Sequence, residues 1–69
     1  MKKYTIHLIS EYGNVDVHED VQNDSLARVV QLGRAMIDTY YTKCEQGEHM
    51  TLSIYNTNTN DLCWREYAI

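Results

Sequence analysis

His7, His18 and His49, together with Cys44, Cys63 and the carboxylates Glu11, Asp16, Glu19, Asp20 and Asp24, are the residues of this chain that have chemistry to offer. Zinc accepts imidazole and carboxylate ligands, and His7 and His18 on one sheet face beside Asp16 and Asp20 would supply both. A hairpin closed at Gly13-Asn14 places the two histidines diagonally with the carboxylates nearby, but their spacing matches no compact metal motif, and three scattered histidines are ordinary in a chain of this size. Solvated or structural histidines are therefore expected, with no metal and no cofactor. A nucleophilic Cys63 would need a neighbouring base and an electropositive setting. Arg65 follows closely in Cys63-Trp64-Arg65, but neighbours along a strand point to opposite faces, so small buried or half-buried thiols are the expectation for both cysteines. The carboxylates make a loose acidic rim without the pocket an acid–base pair requires. No glycine-rich phosphate loop is present, and the chain reads as a non-enzyme.

The elements that would position these groups follow from periodicity. From Lys3 to Ile9, Tyr4, Ile6 and Leu8 alternate with Thr5, His7 and Ile9, which predicts a strand. Glu11-Tyr12-Gly13-Asn14 predicts a turn, with Gly13 and Asn14 as a tight two-residue loop. A second strand follows, in which Val15, Val17 and Val21 alternate with Asp16, His18 and Asp20. That register sets Tyr12 opposite Val15, Leu8 opposite Glu19, Ile6 opposite Val21, and the like charges Glu11 and Asp16 opposite each other. One hairpin face is then apolar; the other carries Thr5, His7, Ile9, Glu11, Asp16, His18 and Asp20.

Between Asp24 and Gly47 the period changes to that of a helix. The N-cap is expected at Asp24, within one residue, and Leu26, Val29, Val30, Gly33, Met36, Ile37, Tyr40 and Cys44 share one stripe. Gly33 in mid-stripe implies close approach to a sheet, so that Gly33→Leu would push the layers apart. Gly47 is expected to be the left-handed C-cap. Met50–Tyr55 alternates as a third strand. The turn formers 56–61 lead to a fourth strand, Leu62–Ile69. A three-residue loop with Asn60 left-handed turns Leu62, Trp64 and Ala68 inward; an even loop turns Cys63, Tyr67 and Ile69 inward, and Trp64 inward is favoured.

Residues 1–69 thus read as one α+β domain: two layers in the order β-β-α-β-β, with one amphipathic helix on one face of a four-stranded, mainly antiparallel sheet. Sixty-nine residues bury a small core, so docking on a partner or a second copy would add stability. Six tyrosines and one tryptophan are more aromatics than that core can hold. The surplus fits partner anchoring, for which Tyr55, Tyr67, His7, Ile9, His18 and Tyr41 are the expected residues. A net charge of −4 opposes phosphate backbones and favours basic partners, so nucleic-acid binding through the open face is the second choice. Strand 2 or strand 3 is expected at a sheet edge, with Thr51–Tyr55 the more adhesive, which allows a monomer or an edge-strand homodimer. No apolar run is long enough for a membrane span, and Met1-Lys2-Lys3 leads into alternation rather than an apolar signal segment. A reducing cytoplasmic setting is the simplest fit, with a Cys44–Cys63 disulfide the alternative.

With strands at Tyr4–Ile9 and Met50–Tyr55 around the helix Asp24–Gly47, the chain resembles in element order the small proteins of phages and mobile elements, anti-CRISPR proteins among them. That resemblance implies binding to a bacterial defence or nucleoprotein complex.

Overall fold

The computed structural model describes residues 2–68. Its strands are β1 (Lys3–Ser10), β2 (Asp16–Gln22), β3 (Met50–Asn56) and β4 (Leu62–Tyr67); the helix α1 spans Leu26–Tyr40, and a single 3₁₀ turn, Tyr41–Lys43, follows it. All pairings are antiparallel, in the order β2-β1-β3-β4. This is the expected two-layer α+β arrangement. The edge expectation holds for β2 and fails for β3, which is central: β1 and β4 satisfy both of its backbone rows, so an edge-strand homodimer through Thr51–Tyr55 is ruled out. The free edges belong to β2 and β4.

The core forms where the even-numbered side of β1 meets α1 and β3. Tyr4, Ile6, Leu8, Val15, Val29, Val30, Met50, Leu52 and Ile54 are buried, and Val17, Val21, Leu26, Met36, Ile37, Tyr40, Cys44 and Ala68 pack against them at the margin. Each fully buried side chain of this size contributes about 1.5–3 kcal/mol. The N-cap is Ser25, one residue after Asp24 and within the expected margin. Ser25 Oγ accepts the Arg28 N–H, while Asp24 Oδ1 instead accepts the N–H of Lys2. The helix ends earlier than expected. Gly47 has φ +82° but turns the 45–48 loop, where the Glu48 N–H reaches the Glu45 carbonyl. Arg34 ties the outer face of α1 to β4 through a two-pronged pair with Glu66, Nε to Oε1 at 2.8 Å and Nη2 to Oε2 at 2.9 Å, and these hydrogen bonds hold the Glu66 carboxyl below its usual range.

Two registers depart from expectation. The first hairpin pairs Leu8 with Val17, Ile6 with Glu19 and His7 with His18, two residues away from the register drawn from a Gly13-Asn14 loop. It closes at Ser10 and Val15, whose backbones hydrogen-bond, and Glu11, Tyr12, Gly13 and Asn14 form a wider loop in which only Gly13 has positive φ. The cause is Glu48. Its buried carboxylate accepts the Tyr12 N–H and the Asn14 amide, so the loop is held open by a side chain distant in sequence. A slip of two leaves every side chain on its expected face and removes the Glu11–Asp16 opposition.

The second hairpin closes between Asn56 and Asp61, leaving Thr57, Asn58, Thr59 and Asn60 as an even loop. By itself this would turn Cys63 inward. A bulge between Ile54 and Tyr55 on one side and Leu62 and Trp64 on the other skips Cys63, and Trp64 therefore pairs with Ile54 on the helix side. Trp64 inward is right in direction, although at the sheet margin it stays 39% exposed. Leu62 is opposite Tyr55 and so does not turn inward; Ala68 packs against the core as expected. The inward alternative for Ile69 lies outside the described residues. Asn60 has φ 62°, as expected. Asn60→Val should lower stability by about 1–2 kcal/mol, since a β-branched residue resists the left-handed region, whereas Asn60→Gly should be near neutral; urea unfolding of both variants checks this.

Candidate functional site

The helix covers one face of the sheet, and the other face is the candidate site. Its side chains fall into three rows across β2-β1-β3-β4, given by the strand registers: Asp16, Ile9, Thr51, Tyr67; His18, His7, Ser53, Arg65; and Asp20, Thr5, Tyr55, Leu62. Five of the six expected contact residues, Tyr55, Tyr67, His7, Ile9 and His18, share this face. Tyr41 does not join them. It lies on the 3₁₀ turn after α1, exposed, beside a separate depression lined by Cys44 and Gly47.

Polar groups on the face are paired to one another. Asp20 Oδ1 accepts from the Thr5 hydroxyl at 2.8 Å, and Thr5 and Thr57 hydroxyls are 2.8 Å apart. Arg65 donates from Nε to Ser53 Oγ and from Nη2 to the Tyr55 hydroxyl, each at 3.1 Å. Tyr55 is thereby fixed against β4, while Tyr67 is 81% exposed and Ile9 40%. Thr51 stands between them, and the three line a shallow groove that continues past Ser10 and Glu11 to His49. The histidines meet on the β1–β2 side. Their rings stack at 4.0 Å with planes 10° apart, and His7 Nε2 lies 3.0 Å from Asp16 Oδ1.

Comparison with known proteins finds no matching family model, no significantly similar curated protein and no significantly matching solved structure. The reading of the face therefore rests on its own geometry.

The thiols are not arranged for catalysis. Both are free. Cys44 is half-buried against the core, and burial together with the Glu48 charge pushes its thiol up, away from the nucleophilic thiolate. Cys63 is exposed, its Sγ directed to the carbonyl of Asp61, and the guanidinium of Arg65 is engaged by Ser53 and Tyr55.

Glu48 is the polar residue that sequence reasoning missed. It is 1% exposed. Oε1 accepts from the Asn14 amide at 2.7 Å and the Glu45 N–H at 2.9 Å, and Oε2 from the Tyr12 N–H at 2.9 Å. Burial alone would raise its pKa; hydrogen bonds from Ser10, Asn14 and the Glu45 and Tyr12 amides outweigh that and hold it at about 2. No local pattern marks such a residue, because Tyr12 and Asn14 lie more than thirty positions away on the first hairpin. Its role is to fasten that hairpin to the 45–48 loop.

Proposed function

We propose that this chain is a non-enzymatic protein-binding module that uses the open sheet face, with the exposed Tyr67 as principal anchor. The observation that carries the reading is the juxtaposition of Tyr67 and Ile9 on an uncovered face. A tyrosine with its ring in water, in one row with an exposed isoleucine across Thr51, has few rotatable bonds and loses little side-chain entropy when a partner covers it. Tyr55, already held by Arg65, adds a fixed neighbour. The single arginine in the rows is engaged, and Asp16 and Asp20 flank the opposite side, which favours a protein over a nucleic acid as partner. No helix among the described residues is long and apolar enough to cross a membrane. A bacterial defence or nucleoprotein complex is the class of partner that the element order suggests.

Pull-down from a bacterial lysate, compared with a Tyr67→Ala variant, tests the reading. The expected result is a stoichiometric partner whose binding weakens by more than ~1 kcal/mol in the variant. Recovery of no partner, or a partner indifferent to Tyr67→Ala, would remove this reading. Salt-sensitive binding of an oligonucleotide would replace it with the nucleic-acid alternative.

A further inference from the structure

We propose that His7, Asp16 and His18 form a binding site for a divalent transition-metal ion, of which zinc is the representative probe. One donor atom from each of the three lies within 4.8 Å of the others, on adjoining strands of the same sheet face. The two-residue change of hairpin register creates the cluster. With the hairpin closed at Gly13-Asn14, His7 would face Asp20 and the histidines would be diagonal; in the structure they are direct cross-strand partners, and Asp16 is paired with Ile9, two residues from His7 along β1.

Cross-strand partners have Cβ atoms about 4.5–5.5 Å apart, close enough for two imidazoles to reach one ion. The His7 Nε2 to Asp16 Oδ1 contact of 3.0 Å is a nitrogen and a carboxylate oxygen already aimed at each other. Zinc bonds of about 2.0–2.2 Å in tetrahedral geometry place such ligand atoms roughly 3.3 Å apart, so an ion can replace the bridging proton with a small expansion. The stacked His18 ring then tilts from its near-parallel position to bring its own nitrogen onto the ion. Imidazole and carboxylate donors suit zinc, nickel or copper better than calcium or magnesium. Asp16 and His18 are exposed, so the remaining coordination positions face solvent. The site is independent of the protein-binding reading, since an ion can bind whether or not Tyr67 anchors a partner.

Titration of the intact chain with zinc chloride, followed by calorimetry and by long-range proton–nitrogen NMR of the imidazoles, provides the test. One ion per chain is expected, with the ring signals of His7 and His18 shifting and those of His49 staying in place. His7→Gln and His18→Gln should abolish binding at concentrations that saturate the native chain, and Asp16→Asn should weaken it. His49→Gln and Cys63→Ser should leave it intact. Failure of the native chain to bind, shifts centred on His49, or binding that survives His18→Gln or disappears in Cys63→Ser would each overturn the assignment. The NMR readout on the native chain decides the matter even where a substitution disturbs folding.

Discussion

Gly33→Leu is expected to destabilise the domain by roughly 3 kcal/mol, the upper part of the range for overpacked cores, and to lower its melting temperature by about 15 °C. A β-carbon built on Gly33 would meet Leu52 Cδ1 at 2.7 Å, Cδ2 at 3.1 Å and Cγ at 3.4 Å. Leu52 is fully buried in β3, at the centre of the sheet, so α1 must lift to admit a larger side chain. Leucine recovers only about 0.8–1 kcal/mol of helix propensity over glycine. Gly33→Ala should be close to neutral, since the same propensity gain offsets a clash confined to the ends of a leucine side chain. The coupling can be isolated. Leu52→Ala alone should cost about 2–5 kcal/mol, and the double variant Gly33→Leu/Leu52→Ala less than the sum, because the new side chain fills the space the old one left. Additive losses in thermal unfolding would show that the helix is not seated on Leu52.

The second large effect concerns Glu48. Glu48→Gln keeps the shape but offers one acceptor oxygen where the carboxylate has two, and its amide group must face an N–H donor. A drop in melting temperature on the order of 10 °C is expected, with faster amide exchange at Tyr12 and Glu45. The pH dependence has a definite sign. Glu48 titrates at about 2 in the folded chain against an ordinary 4.5, so on acidification the unfolded chain takes up the proton first. The stability Glu48 contributes is complete above pH 4.5 and is lost as the pH falls towards 2. In Glu48→Gln this part of the acid sensitivity should vanish. Equal acid dependence in both proteins, measured by urea unfolding across that window, would show that the carboxylate is not the group responsible.

These two residues also mark how far the sequence was legible. Gly33 announced itself because a glycine in the middle of an apolar helical stripe needs a neighbour that approaches closely, and Leu52 is that neighbour. The strands, the helix start and the two faces of the first hairpin were readable for the same reason: alternation and helical period are local signals. Register was not local. The first hairpin departs by two residues because Glu48 reaches back to Tyr12 and Asn14, and β3 is central rather than at an edge because pairing with β1 skips over the whole helix. The candidate face inherited both kinds of signal. Alternation placed His7, Ile9, His18 and Tyr55 together, whereas Tyr67 joins them through the bulge that offsets an even loop. The stacking of His7 on His18 depended on the register that the sequence could not supply. Tyr41 was grouped with them by residue type alone, and residue type carries no information about place.

The bulge at Cys63 bears on which lengths this chain can tolerate as it diverges. An even loop at 57–60 and one skipped residue in β4 cancel, and only their combination turns Trp64 towards the helix. A one-residue slip of β4 against β3 would exchange the two sides of β4, setting Trp64 in water and carrying Arg65 away from Ser53 and Tyr55. Deleting Cys63 itself, by contrast, would remove the bulge and leave Trp64 opposite Ile54. A one-residue loss is therefore tolerated at Cys63, whereas one elsewhere within β4 turns the residues beyond it to the other face. Homologous chains, aligned by structure, should show single-residue gaps within β4 at position 63.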